Sequence, residues 1–244
     1  MRNIRLIIEY DGTNYHGWQI QNNAVTVQGT IETAINKLTG ETVKLTGASR
    51  TDVGVHAFFQ VANFNTCSTI PPDKFCYALN RLLPNDIIIK SSEEVGIEFH
   101  SRYSAKFKRY RYIIYNSPFP SPLQRNRVYH VPQVLDFDNM EKAIYFFLGK
   151  HDFASFQSTG SAAKTSVRTI KNVLIKEDIH TITIEVVGDG FLYNMVRIMA
   201  GTLVEVGLGK ITAESLPDII NSLDRRKAGK TAPAHALYLL EVLY

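Results

Sequence analysis

The chain has 244 residues, 45% hydrophobic and 20% charged, the balance of a globular protein that buries a sizeable core. Its net charge of +4 is too small to imply a polyanionic partner, so the placement of the charges matters more than their sum. The two cysteines, Cys67 and Cys76, lack a CxxC spacing or a companion histidine pair, and no stretch approaches 18 uncharged apolar residues, which argues against a disulfide scaffold, a zinc module and a membrane span.

The opening MRNIRLIIEYDG has no apolar signal-peptide core, so a reduced, cytoplasmic location is expected. Within it NIRLIIEY reads as a strand stopped by the turn pair Asp11-Gly12. TVQGTIETAINKLTG spaces Val27, Ile31, Ala34, Ile35 and Leu38 helically, with Thr26 as N-cap and Gly40 just past the end. TVKLTGAS and AFFQVANFNT read as strands, PPDKFCYALNRLLP as a helix started by proline and stopped by Pro84, and DIIIKSSEEV as a strand.

The second half repeats the style. KRYRYIIYN is a strand, and DFDNMEKAIYFFLGK a helix with Met140, Ile144, Phe147 and Leu148 on one side. VRTIKNVLIKED and IHTITIEVVGDG are strands around a short turn. GFLYNMVRIMAGTLVEVG is a long helix, TAESLPDIINSLD a shorter one, and ALYLLEVLY a closing strand. Strands and helices mix without regular βα alternation, so the fold class is α+β. Each half offers about four strands and two helices, which divides the chain into 1–104 and 105–244 with no flexible linker between.

Chemistry concentrates in two stretches. ASRTDVGVHAFF, residues 48–59, lies between two strands, and Thr51-Asp52-Val53-Gly54 is good turn chemistry with Gly54 supplying an unusual φ. The same loop also presents Asp52 between Arg50 and His56, where a guanidinium favours the ionised carboxylate and leaves it available as nucleophile or base. Loops held by strands commonly display such groups, and no second carboxylate stands nearby to make a glycosidase pair. A plain turn and a working carboxylate both remain open on spacing alone.

SRYSAKFKRYRYIIY, residues 101–115, carries Arg102, Lys106, Lys108, Arg109 and Arg111 among five aromatic rings and no acid. Such a stretch is either a solvated edge strand or a nucleic-acid surface, in which cations meet phosphates and rings stack on bases. Strand periodicity puts Lys106, Lys108, Tyr110 and Tyr112 on one face, with Tyr110 able to face a nucleobase. The GDG before Phe191 lacks the GxGxxG of a dinucleotide loop. Arg197, on the long helix, reads on its own as a salt-bridged or exposed residue. Arg225, Arg226, Lys227 and Lys230 form a solvated loop or a second phosphate contact, and the histidines have no ligand spacing, so no metal is expected.

Seven motifs in order, YDGTNYHGWQIQ, RTDVGVHAFFQVANF, ALNRLLPNDI, FHSRYSAKFKRYRYIIYN, LGKHDFASFQSTGS, GFLYNMVRIMAGTLVEVG and AGKTAPAHALYL, resemble the tRNA pseudouridine synthase A family across essentially the whole chain. The family loop usually reads GRTDAGVHA; Ser49 and Val53 depart from it, while Arg50, Thr51, Asp52, Gly54, Val55, His56 and Ala57 match. The resemblance implies two ferredoxin-like (RRM-like) halves whose antiparallel sheets merge into one larger sheet with helices packed on it, and an active cleft between them. It implies isomerisation of uridine at positions 38, 39 or 40 of the anticodon stem-loop, with Asp52 as nucleophile adding to C1′ or C6. Arg50 would pair with Asp52 or help displace the base, Tyr110 would pack on the uracil, and Arg197 would reach the aspartate. No cofactor is implied; the partners implied are tRNA and a second subunit of a homodimer. A paralogue with a shifted RNA target, a catalytically silent RNA-binding module and a metal-dependent nuclease are the competing readings. The last needs further carboxylates converging on the site.

Overall fold

A computed structural model describes residues 1–160 and 163–244; Ser161, the last residue of one motif, lies outside them. The elements run β1 (Arg2–Tyr10), α1 (Val27–Thr39), β2 (Thr46–Gly47), β3 (His56–Thr66), α2 (Phe75–Asn80), β4 (Ile87–Val95), β5 (Phe107–Asn116), β6 (Tyr129–Val131), α3 (Phe137–Ile144), β7 (Gly149–Asp152), β8 (Val167–Asp178), β9 (Thr181–Gly188), α4 (Met195–Gly207), α5 (Leu216–Asn221) and β10 (Leu237–Leu243). The protein is α+β. Two compact units form, Met1–Lys106 with Tyr238–Tyr244, and Phe107–Leu237. The closing strand therefore returns to the first unit, where a split near residue 105 would assign it to the second.

In the first unit β1 alternates as its sequence dictates, with Ile4, Leu6, Ile8 and Tyr10 buried. It pairs antiparallel with β3 on one side and β4 on the other. The long β3 pairs antiparallel with β2 at Ala62 and Asn63, and parallel with β10 at His56 and Ala57, so not every ladder is antiparallel as expected. α1 follows its expected caps: the Thr26 hydroxyl accepts from the Gly29 amide at 3.3 Å, and Gly40 takes φ 76°. β2 is shorter than its sequence suggested. The Leu45 amide donates to Glu32 and its carbonyl accepts from Gln28, both on α1, so side chains replace ladder partners there. α2 is also short, preceded by a 3-10 turn at Pro72–Lys74 and followed by no further helix before Pro84.

In the second unit β5 pairs antiparallel with β9, β9 with β8, and β8 with β7, while β6 joins β5 in parallel. β6 and β7, of 3 and 4 residues, are too short to show a period in the sequence. α3 is capped by Asp136, whose carboxylate accepts from the Asn139 amide at 3.0 Å. It tightens into a 3-10 turn at Tyr145–Phe147, which carries Leu148 off the buried side expected for it. α4 packs on α3 and β5. Of its 13 residues only Arg197 and Glu205 are not buried, the composition of a core helix. Among the described residues no helix is long and apolar enough to cross a membrane.

Candidate active site

The loop between β2 and β3 is braced from both sides. Its turn closes where the Val55 amide donates to the Asp52 carbonyl at 3.2 Å, with Gly54 at φ 78° as its sequence required. The segment after β1 forms one wall. Trp18, fully buried, donates its amide to the Thr51 carbonyl at 3.0 Å, and the Gly54 amide reaches the Tyr15 carbonyl at 3.4 Å. Gly17 makes this approach possible: at φ +83°, a Cβ there would lie 2.4 Å from the Thr51 carbonyl oxygen. Tyr15 in turn donates its phenol to Asp86; burial, then that carboxylate, raise its pKa above the ordinary tyrosine value.

At the end of β1 the Tyr10 hydroxyl shares a 2.7 Å buried hydrogen bond with Thr51. His56 Nδ1, on a ring 2% exposed and stacked on Tyr238, lies 3.0 Å from both an Asp11 carboxylate oxygen and the Gly12 amide. When protonated, that nitrogen donates to Asp11; when bare, it accepts from Gly12. Either state ties the Tyr10-Asp11-Gly12 stretch to the far end of the Asp52 loop. Thr51→Val is expected to cost about 1 kcal/mol, read as a lowered denaturation midpoint with an unchanged m-value.

On this mount Asp52 is half-buried and Arg50 exposed. The two departures from the family loop are easily accommodated. Ser49 has no positive φ that would demand glycine, and its backbone is held by the Gln60 side chain, which donates to the Ser49 carbonyl at 2.7 Å. Val53 is 54% exposed.

The basic strand divides by face. Tyr110, Tyr112 and Ile114 turn inward as the period predicts, Tyr110 at 5% exposure with its ring edge-on to Phe191 at 5.1 Å. Arg109 and Arg111 lie on the opposite face, and Glu185, the strand partner of Arg111 on β9, engages both, at 4.0 Å and 2.7 Å. One carboxylate thus offsets part of their charge within the sheet. Lys108 is half-buried, while Arg102 and Lys106 are exposed, Arg102 over the Tyr103 ring at 5.6 Å.

Arg197 stands in the first turn of α4. Its Nε donates to the Ala232 carbonyl at 2.8 Å and its Nη1 to the Asn194 side-chain oxygen at 2.6 Å. The same 231–233 stretch takes the Tyr112 hydroxyl, which donates to the Pro233 carbonyl at 2.9 Å. Burial raises the Tyr112 pKa well above its ordinary value, and the nearby Arg197 charge opposes that shift. Arg50 and Asp52 therefore share one loop of the first unit, while Tyr110 and Arg197 belong to the second. Periodicity and charge gave no role to Asn194 or the Ala232 carbonyl, and did not show that Asp11 reaches His56 or that Tyr112 reaches Pro233. Among the described residues no group of three or more His, Cys, Asp or Glu gathers to hold a metal ion.

A family model described as tRNA pseudouridine synthase matches residues 6–104 and 143–244. The chain is 64% identical over 244 residues to tRNA pseudouridine synthase A of Acetivibrio thermocellus, covering all of both chains. It is 61% identical over 246 residues to the protein of that name from Ruminiclostridium cellulolyticum, again covering both in full. To tRNA pseudouridine synthase A 2 of Clostridium tetani it is 54% identical over 245 residues, covering 100% of this chain and 99% of the other. With a family match over most of its length and such identity from end to end, the chain belongs to the tRNA pseudouridine synthase family.

Proposed function

We propose that the protein isomerises uridine to pseudouridine at positions 38, 39 or 40 of the tRNA anticodon stem-loop, with Asp52 as the nucleophile. The observation that carries this is the mount of Asp52: a half-buried carboxylate on a loop fixed by Tyr10, Gly17, Trp18 and His56, in a chain whose relatives bear that enzyme's name. The C1′–N1 bond of uridine breaks, the uracil turns, and a C1′–C5 bond forms. The proton on C5 is lost and one is gained at N1, so substrate and product have the same atoms and no co-reactant is needed. A carboxylate suits this because it can add to C1′ or C6 and leave again.

In this reading Tyr110 packs against the uracil, Arg197 meets the aspartate, and the exposed Arg50 helps displace the target base. Unstacking the base costs a few kcal/mol, and Arg102, Lys106 and Lys108 hold the phosphates meanwhile. Arg109 and Arg111 contribute less, because Glu185 already engages them. Action as a cytoplasmic homodimer follows from the family resemblance alone.

Purified protein is expected to convert uridine in unmodified tRNA at one or more of these positions, with EDTA present and without loss of rate. Absence of conversion on several such tRNAs overturns the proposal, and loss on chelation points to a metal-dependent chemistry instead. Lys106→Ala is expected to reduce the salt slope of tRNA binding by about one, with little effect on the bound rate.

A further inference from the structure

At Asn194 the backbone departs from the local rule for a helix start. It is the N-cap of α4, a position ordinarily extended, yet it holds φ 63°, ψ 7°, a left-handed conformation that asparagine tolerates better than most side chains. Among the described residues only Leu223 shares a positive φ without being glycine. Asparagine at an N-cap ordinarily spends its side-chain oxygen on a helix amide; here it makes no such bond. That oxygen accepts from Arg197 Nη1 at 2.6 Å, and the same side chain donates through Nδ2 to the Ser158 hydroxyl at 2.9 Å. Arg197 lies three residues past the cap, where a cation opposes the helix dipole. The cap, the backbone and the charge are all set against helix stability, and together they hold one guanidinium.

We propose that Asn194 is a positioning residue: with the Ala232 carbonyl at Nε, it fixes the direction of the Arg197 guanidinium for the isomerisation. The inference rests on the function proposed above and on Arg197 acting in it. A group that loses an anchor sweeps a wider arc, and misplacement of about 1 Å can cost around 100-fold in rate.

The test compares Asn194→Gly, Asn194→Asp, Arg197→Ala and the parent in single-turnover conversion, tRNA affinity and thermal unfolding. Glycine adopts φ 63° without strain, so Asn194→Gly is expected to stay folded and bind tRNA as the parent does. Its bound rate should fall about 10- to 100-fold. Aspartate keeps an oxygen for Nη1 and should recover most of that loss. A parental rate in Asn194→Gly, while Arg197→Ala is impaired, overturns the inference, as does a rate loss that merely tracks unfolding or weaker tRNA binding. If Asn194→Gly folds poorly, Asn194→Asp decides: a stable, tRNA-binding Asp variant as slow as Arg197→Ala overturns the inference, and one with near-parental rate sustains it. A parental rate in Arg197→Ala removes the role assigned to Arg197 and the inference with it, whereas absence of conversion by the parent is a failure of the proposed function itself.

Discussion

Asp52→Asn is expected to abolish the conversion of uridine while leaving the fold and tRNA binding intact. The substitution is isosteric. The loop is shaped through backbone atoms of residues 51, 52 and 54 and through the Thr51 hydroxyl, bonds that an amide at position 52 leaves in place. What is lost is nucleophilicity: an amide does not add to C1′ or C6 as a carboxylate does. Removing a nucleophile from an otherwise complete site costs about 10⁴-fold or more. Because the reaction exchanges the proton on C5, release of tritium from tRNA labelled at C5 of uridine measures the loss directly. Filter binding and thermal unfolding on the same preparation separate it from misfolding. A variant that still releases tritium at more than a trace of the parental rate would remove Asp52 from the chemistry.

The elements that could be read from the sequence are those whose burial is set by their own periodicity. β1 alternates with Ile4, Leu6 and Ile8 inward, and α1 begins and ends at the cap residues that define it. The errors fall where a distant side chain overrides a local preference. β2 is cut short because Gln28 and Glu32 satisfy the backbone of Leu45. α4 starts at Met195, later than its apolar run suggests, because Asn194 turns left-handed to hold Arg197. The site divides in the same way. Asp52 and Tyr110 stand out as candidates in the sequence because one sits in turn chemistry beside charged neighbours and the other on a strand with a clear period. The engagement of Arg109 and Arg111 by Glu185 is not legible locally, since Glu185 is 74 residues from Arg111 in the chain and adjacent only across the ladder. The braces Tyr10–Thr51 and Asp11–His56 span 41 and 45 residues, so no local pattern encodes them.

The second large effect is expected from Gly201→Ala, which should destabilise the protein even though alanine is the better helix former. A Cβ at 201 would lie 1.8 Å from the Lys230 carbonyl oxygen and 2.9 Å from its carbonyl carbon. These are backbone atoms that cannot swing aside, so α4 or the 229–232 segment must move. Neither is loose: the Gly229 amide donates to the Thr202 hydroxyl at 2.9 Å, and the Ala232 amide to the Arg197 carbonyl at 3.1 Å. Alanine gains about 0.5–1 kcal/mol in a helix interior, whereas overpacking costs about 1–3 kcal/mol or more. The balance should lower stability by about 2 kcal/mol, with about 2–4 °C of melting temperature lost for each kcal/mol. The same shift displaces the Ala232 carbonyl from Arg197 Nε, so the single-turnover rate should fall even at a temperature where the variant is fully folded. Gly96→Ala is the control. No atom lies within 4 Å of a Cβ there and the backbone has no positive φ, so stability should change by no more than about 0.5 kcal/mol. If Gly201→Ala melts with Gly96→Ala, the close approach of helix and segment is not what holds the arginine.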